Sequence, residues 1–366
     1  MQNKYLNVIG MMSGTSADGI DISLVKTDGK NLISQNKNYF HRFKDNLRSE
    51  LLNIMKDRLI KKIDNKSYFD NLITQEHYIA LRNSNILNKT EIIGFHGQTI
   101  HHQPEIGLSI QVGDPTLLSK LTQKKVVFDF RTTDIKNGGQ GAPIAPVYHK
   151  YILKKNCIKL PACIINLGGI SNLTYCDDKN IIGFDTGPGN CLIDDYVKIK
   201  TNLNFDKNGE FGFKGRPNKK ILELLSKDIF FNLKPPKSID RNFLKKTFDI
   251  ILKQNLQLYD AISTISFFTI QCIINSLKFL PAYPKNIIIT GGGYKNKYLI
   301  HLLNKSLKSK IYDNIDLNFD PDFVEAELIA YLSARSIYKL PITFPTTTGV
   351  KTNSCGGNLF DYKNPL

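Results

Sequence analysis

The chain has 366 residues, 41% of them hydrophobic, a length that suits two domains with a cleft between them better than one. Its 49 Lys and Arg against 33 Asp and Glu give a net charge of +16, but the lysines are scattered among Asn and Ile without a basic tract or an aromatic-arginine strip, which argues against a nucleic-acid partner. No run of eighteen apolar residues occurs and Met1 to Asn7 lacks the make-up of a secretory signal, so no membrane role is expected and the compartment expected is the cytoplasm.

In chain order, Leu6 to Gly10 is a short apolar run, Met11 to Gly19 a polar, glycine-bearing turn, and Ile20 to Val25 an alternating segment: strand, turn, strand. Helices are expected near 46–63 and 68–88, with Leu47, Leu51, Ile54 and Met55 on one face of the first. Strands are expected at Ile92–His96 and Val126–Phe130. Cys163 to Tyr175 forms a second strand-turn-strand unit around Gly168 and Gly169, a coarse echo of the first. Ile181–Phe184 reads as a strand that ends at Asp185, before the turn Thr186-Gly187-Pro188-Gly189 and a helix. A mostly helical stretch covers about 218–280, then come a strand at Asn286–Thr290, a Gly291-Gly292-Gly293 turn, and helices at Tyr298–Leu307 and Asp322–Tyr338. Strands mixed with helices throughout, in two related halves, make the fold α/β with an internal duplication.

The turn from Ser13 to Asp21 packs backbone amides, the hydroxyls of Ser13, Thr15 and Ser16, and the carboxylates of Asp18 and Asp21 into nine residues. Glycines let backbone approach a phosphate, hydroxyls donate to its oxygens, and a carboxylate can hold hydrated Mg²⁺. A plain hairpin has the same composition, and no P-loop is present. The other two glycine turns each follow an apolar strand, and three such turns match a phosphate and nucleotide site assembled from both lobes. Asp185, on a stiff turn, is placed either to activate a nucleophile or to cap the following helix. His96, Gln98, His101 and His102 lack the spacing of a transition-metal site, so hydrogen bonding of a substrate is the reading for His96 and Gln98. Arg131 offers a planar fork for a carboxylate or an ordinary ion pair. The six cysteines show no CxxC spacing and are expected to be reduced.

Together these segments resemble the anhydro-N-acetylmuramic acid kinase family along almost the whole chain. The matching stretches are Gly10–Asp21, Gly94–Thr99, Ile110–Asp114, Asp129–Arg131 with Gly138–Pro143, Asn166–Asn172, Gly183–Asn190, Pro235–Ser238, Gly291–Gly293 and Glu325-Ala326. The resemblance implies a two-lobed sugar kinase, Hsp70 and actin-like (ribonuclease H-like) fold with ATP in the interdomain cleft. One lobe would comprise 1–133 plus about 337–366, the other about 134–336. It implies that Gly14, Thr15, Ser16, Ala17, Asp18, Gly19, Ile20 and Asp21 lie against the ATP phosphates, with Gly168 and Gly169 in a second phosphate hairpin and Gly291, Gly292 and Gly293 facing the adenosine. Asp185 would be the catalytic base, Arg131 a sugar ligand, and Glu325 a carboxylate near the cleft. No metal ligand is assigned, Mg²⁺ coming with ATP.

The reaction so implied is hydrolytic opening of 1,6-anhydro-N-acetylmuramic acid with phosphorylation of O6 by ATP, in peptidoglycan recycling. The alternatives are an ordinary hydroxyl-phosphorylating sugar kinase and a non-catalytic, chaperone-like ATP-binding protein. A homodimer is one candidate for the oligomeric state. Thr132 and Thr133 stand where the family commonly continues an arginine run, and Glu327 to Ile329 alter its Ala/Phe-rich helix.

Overall fold

A computed structural model of the protein describes residues 3–56, 66–103, 106–239, 241–312, 317 and 320–363. The chain divides into two compact units, 1–151 with 323–366 and 152–322.

The first unit opens with an antiparallel meander, β1 (Leu6–Ser13), β2 (Gly19–Thr27) and β3 (Leu32–Arg42). β4 (Ile92–Gln103) lies parallel to β1, β5 (Leu108–Val112) folds back on its outer half, and β6 (Lys125–Phe128) runs parallel to it. The second unit repeats the pattern: β7 (Ala162–Leu167), β8 (Ile170–Cys176) and β9 (Ile181–Pro188) form a meander, then β10 (Asn286–Thr290) lies parallel to β7 and β11 (Lys310–Tyr312) parallel to β10. The chain then returns to the first unit, where β12 (Asn358–Phe360) closes the edge beside β6. Counted within each unit, both sheets have the spatial order third, second, first, fourth, fifth, with β6 and β11 taking the fifth place. The expected duplication is therefore a repeat of topology, not only of turns.

The inner strands explain themselves. Every residue of β10 is buried, as a parallel strand covered on both faces requires, and the Ile run supplies the apolar surface. The helix Leu258–Ser276 is apolar and long enough, by length and composition, to cross a membrane, but it belongs to the core of the second unit, with Ile262, Ile265, Phe268 and Ile273 fully or almost fully buried. The helix Val324–Ile337 packs across β1, β2 and β4 of the first unit. Gly10 and Gly94, paired on β1 and β4, make the close approach possible. A methyl group on Gly10 would lie 1.9 Å from the Ala326 carbonyl oxygen, and one on Gly94 would lie 2.3 Å from Ser333 Oγ.

This helix corrects the expected domain boundaries. They were placed at 133/134 and near 336/337, whereas the units divide at 151/152 and 322/323. Residues 132–151 stay with the first unit because Asp134 bonds Thr348 and the Tyr148 and Tyr151 rings pack on Tyr331, while 323–337 covers the first sheet. Of the helix expected at 46–63, Asp45–Lys56 is helical and 57–63 lies outside the described residues. The next helix is Lys66–Ser84, ended by Asn85 in the left-handed region at φ 56°. All six cysteines are free.

Candidate active site

In the first unit the β1–β2 turn is closed by the Ala17 amide donating to the Gly14 carbonyl at 3.0 Å. From below, Gln98 Nε2 donates to the same carbonyl at 3.0 Å. Gln98 has no exposed surface, and in this arrangement it supports the turn. Thr15 and Ser16 are exposed at the tip, and the space above Gly14 is open: a methyl group there would meet nothing closer than Ser16 Oγ at 3.8 Å. Gly19 differs, since a methyl group would lie 2.2 Å from the His41 carbonyl oxygen. Ala17 and Ile20 are core residues. The face of the turn open to a ligand is therefore Gly14, Thr15 and Ser16. Asp18 is paired with Arg48 at 2.6 Å, and Asp21 is half-buried on β2 opposite Met12 and Phe40.

After β6 the chain turns at Asp129 (φ 58°), whose carboxylate accepts from the Thr132 amide at 3.1 Å. Arg131 follows. Its Nε donates to His96 Nε2 at 3.2 Å and its Nη1 to the Gly141 carbonyl at 2.8 Å. Burial pushes the His96 pKa down to about 3, and the Arg131 cation adds to this. His96 is thus neutral, with Nε2 as acceptor and its Nδ1–H donating to the Gly97 carbonyl at 3.0 Å. Both of its ring nitrogens are engaged, so His96 orients Arg131 in this arrangement. Burial brings Arg131 down to about 10, opposed by Glu325 and Asp134, and it stays cationic at neutral pH. Gly141 is itself fixed by Asp134, which accepts from the Gly141 amide at 2.7 Å and from Thr348 Oγ1 at 2.6 Å. Phe95, His96, Gln111, Phe128, Asp129 and Arg131 are among the residues lining a concavity of about 370 Å³. Glu325, in the first turn of the helix Val324–Ile337, reaches solvent from a desolvating recess that raises its pKa, an effect Arg131 opposes.

In the second unit the β7–β8 turn is pinned through its carbonyls. Gly168 accepts from the Asn190 amide at 2.8 Å, and Gly169 from the amides of Gly189 at 2.9 Å and Cys191 at 3.2 Å. Outward, both glycines have room, with nothing closer than 3.4 Å to an added methyl group. Gly291 (φ 77°) and Gly293 pack against the end of β7, where methyl groups would lie 2.1 Å from Asn166 Oδ1 and 2.6 Å from Leu167 Cβ. Gly292, between them, meets nothing within 4 Å.

Asp185 lies inside β9, which runs on to Pro188, and not at a strand end. The helix Cys191–Lys200 starts after Asn190 with no side-chain cap, so Asp185 does not cap that helix. Its amide donates to the Lys237 carbonyl at 3.0 Å, and its Oδ2 accepts from the Ile239 amide at 2.9 Å. Burial pushes its pKa up to about 6, against the Ile239 hydrogen bond and the Lys237 cation. Reasoning from sequence missed Lys237, Asp134 and Asn190 as parts of this architecture. Lys237 was visible only as a letter of a matching Pro-Pro-Lys-Ser stretch, and nothing in the pattern around Asp134 pointed to Gly141.

Two units that repeat one topology, each with an open glycine turn between its first two strands, define a two-lobed α/β fold of the sugar kinase kind. The family profile described as Anhydro-N-acetylmuramic acid kinase matches residues 6–362, and the chain belongs to that family of ATP-dependent sugar kinases. Relatives carrying that name include one from Pelagibacter ubique, 38% identical over 97% of this chain and 98% of its own. Another, from Zymomonas mobilis, is 36% identical over 96% of this chain and 98% of its own. Among solved structures, the chain is similar to a ROK family glucokinase from Streptomyces griseus in complex with glucose and AMPPNP, at 10% identity and a TM-score of 0.42, over 88% of this chain and 98% of that one.

Proposed function

We propose that this kinase opens 1,6-anhydro-N-acetylmuramic acid with water and phosphorylates O6 with ATP, giving N-acetylmuramic acid 6-phosphate and ADP, with Asp185 as the base. The oxygen of water attacks C1, the C1–O6 bond breaks, O6 takes the γ-phosphoryl group, and ADP leaves. Asp185 accepts the proton of the attacking water. Because the phosphoryl group is the electrophile for O6, no separate acid is needed to protonate the leaving oxygen, unlike the paired carboxylates of a glycosidase. The open glycine turns of both units suit phosphates, Gly14, Thr15 and Ser16 in the first and Gly168 and Gly169 in the second, and Gly292 leaves room suited to the adenosine. Mg²⁺ supplies positive charge on the phosphates when bound with the nucleotide. With Asp18 already paired to Arg48, ATP oxygens would be its main ligands. Arg131, kept cationic and aimed by neutral His96, suits the sugar's lactyl carboxylate.

The observation that carries this reading is Asp185: a carboxylate that does not cap the helix following its strand, held by the Ile239 amide, whose pKa near 6 sits close to working pH. Activity should fall as pH drops through about 6 and the carboxylate protonates. Asp185→Asn should lower ring opening and ADP formation together by roughly three orders of magnitude, while ATP and sugar still bind. Turnover near the wild-type rate would remove Asp185 as the base. ADP release with the anhydro ring intact would break the coupling of the two steps, and a sugar with a free C6 hydroxyl phosphorylated faster than the anhydro-sugar would point to an ordinary sugar kinase.

A further inference from the structure

We infer that Lys237 is a positioning residue for the reaction: its buried ammonium anchors residues 237–239 against Asp185 and supplies the positive field that keeps that carboxylate ionised. The inference rests on the reading of Asp185 as the base.

Lysine is almost never buried without a partner, because removing its ammonium from water is costly. Lys237 is 4% exposed, and among the described residues its ammonium makes no ion pair with a carboxylate. Instead Nζ donates to the Phe230 carbonyl at 2.9 Å and lies 4.3 Å from the centroid of the Phe230 ring, 4.9 Å from that of Phe279 and 6.0 Å from that of Phe184. Such a box orients a cation through the ring quadrupoles but does not neutralise it. Phe184 precedes Asp185 on β9 and points into the core, so the charge sits on the core side of the strand that carries the base.

The main chain of the same segment grips Asp185 twice. The Lys237 carbonyl takes the Asp185 amide at 3.0 Å, and the Ile239 amide donates to Asp185 Oδ2 at 2.9 Å. β9 is an edge strand, so residues 237–239 supply a partner that the sheet does not. The charged and titratable groups around the pair are few. Lys278, in the turn Leu277–Phe279, lowers the Lys237 pKa together with burial, to about 8, while the Cys272 thiol of the helix Leu258–Ser276 and Asp185 itself act in the opposite direction. The Cys272 thiol is held protonated by burial. At neutral pH the cation therefore persists, and Asp185 is the carboxylate that feels it. A lysine retained there at the cost of its desolvation is explained by what it does to Asp185.

The test compares the full-length enzyme with Lys237→Gln, which keeps a donor for Phe230 but no charge, and Lys237→Arg, which keeps the charge. Each is followed by the pH dependence of kcat and by ¹³C NMR titration of the Asp185 carboxylate, assigned by its loss in Asp185→Asn. In Lys237→Gln the Asp185 titration and the acidic limb of kcat should both rise by about one pH unit, and Lys237→Arg should restore most of the wild-type profile. A Lys237→Gln enzyme that melts lower but titrates like wild type would reduce Lys237 to a structural anchor and overturn the inference. If the Asp185 resonance moves while the kcat limb does not, the hold on Asp185 stands and it is the assignment of the base that fails. Should Lys237→Gln not fold, the wild type decides: its Asp185 resonance must show a second inflection near pH 8, where Lys237 loses its proton, and a single inflection overturns the inference.

Discussion

Gly14 and Gly19 share one hairpin turn and serve opposite ends. Gly19 lets the start of β2 pair closely with the end of β3, with the His41 carbonyl where a side chain would stand, whereas Gly14 faces open space. A branched side chain at 14 would therefore occupy ligand volume without disturbing the fold. Gly14→Val should weaken ATP binding by tenfold or more, about 1.4 kcal/mol, with an unchanged melting temperature. Titration calorimetry and thermal unfolding on one preparation check it, and unchanged affinity would remove the turn from the phosphate site. The residue types of the site were legible because this chemistry draws on few of them: glycines after apolar strands, an Asp beside Gly-Pro-Gly, an Arg after a strand. Which of them touch a ligand was not. Gln98 reads as a substrate ligand and lies wholly buried under Gly14, and Asp18 reads as a carboxylate able to hold hydrated Mg²⁺ and is paired with Arg48. Contacts of that kind join residues 30 or more positions apart, beyond any local pattern.

Elements with a strong apolar signal were legible, and those defined by their neighbours were not. β10 was placed within its true limits, from Asn286 to Thr290, because a buried Ile run has no other use. β3, Leu32–Arg42, escaped because its run of Ser, Gln, Asn and Lys at a sheet edge carries no apolar alternation and only pairing with β2 makes it a strand. The helix Val324–Ile337 was recognised as a helix, but periodicity does not say which sheet a helix covers. Gly10 and Gly94 answer that through the space they leave. Gly10→Ala should force the helix off β1 and cost about 3 kcal/mol, read as a lower denaturation midpoint. Gly292→Ala, which meets nothing, should leave the midpoint where it is. An equal loss in both variants would mean that the helix contact at Gly10 does not set the effect, since the entropy that Gly→Ala removes from the unfolded chain acts in the stabilising direction.

At the scale of the whole molecule, the two units repeat a topology but not an electrostatic character. His77, His96 and His149 are buried, and all three belong to the first unit. Burial pushes their pKa values from 6.5 down to about 4, 3 and 3, and that of half-buried His102, also in the first unit, to about 3. A group with a depressed folded pKa binds fewer protons folded than unfolded, so its contribution to stability is whole above about pH 6.5 and is lost as pH falls toward the folded value. At pH 5 the loss is roughly 2 kcal/mol for each histidine. Asp185, in the second unit, has the opposite sign: its pKa is raised from 3.8 to about 6, so acidification through that window favours the folded form. The carboxylates held below their ordinary range, such as Asp28 and Asp177, do not enter until pH falls below about 4. Between pH 7 and pH 5 the first unit should therefore lose protection while the second keeps it. Hydrogen exchange at the two pH values, compared at matched intrinsic exchange, reads this directly. Amides of β1, β2 and β4 should open first, and those of β7, β8 and β10 should stay closed. His149→Gln gives the control: with one of four such groups gone, the difference between the units should shrink by about a quarter. Loss of protection in the second unit first, or a gap that His149→Gln leaves untouched, would rule out the buried histidines as the source of acid sensitivity.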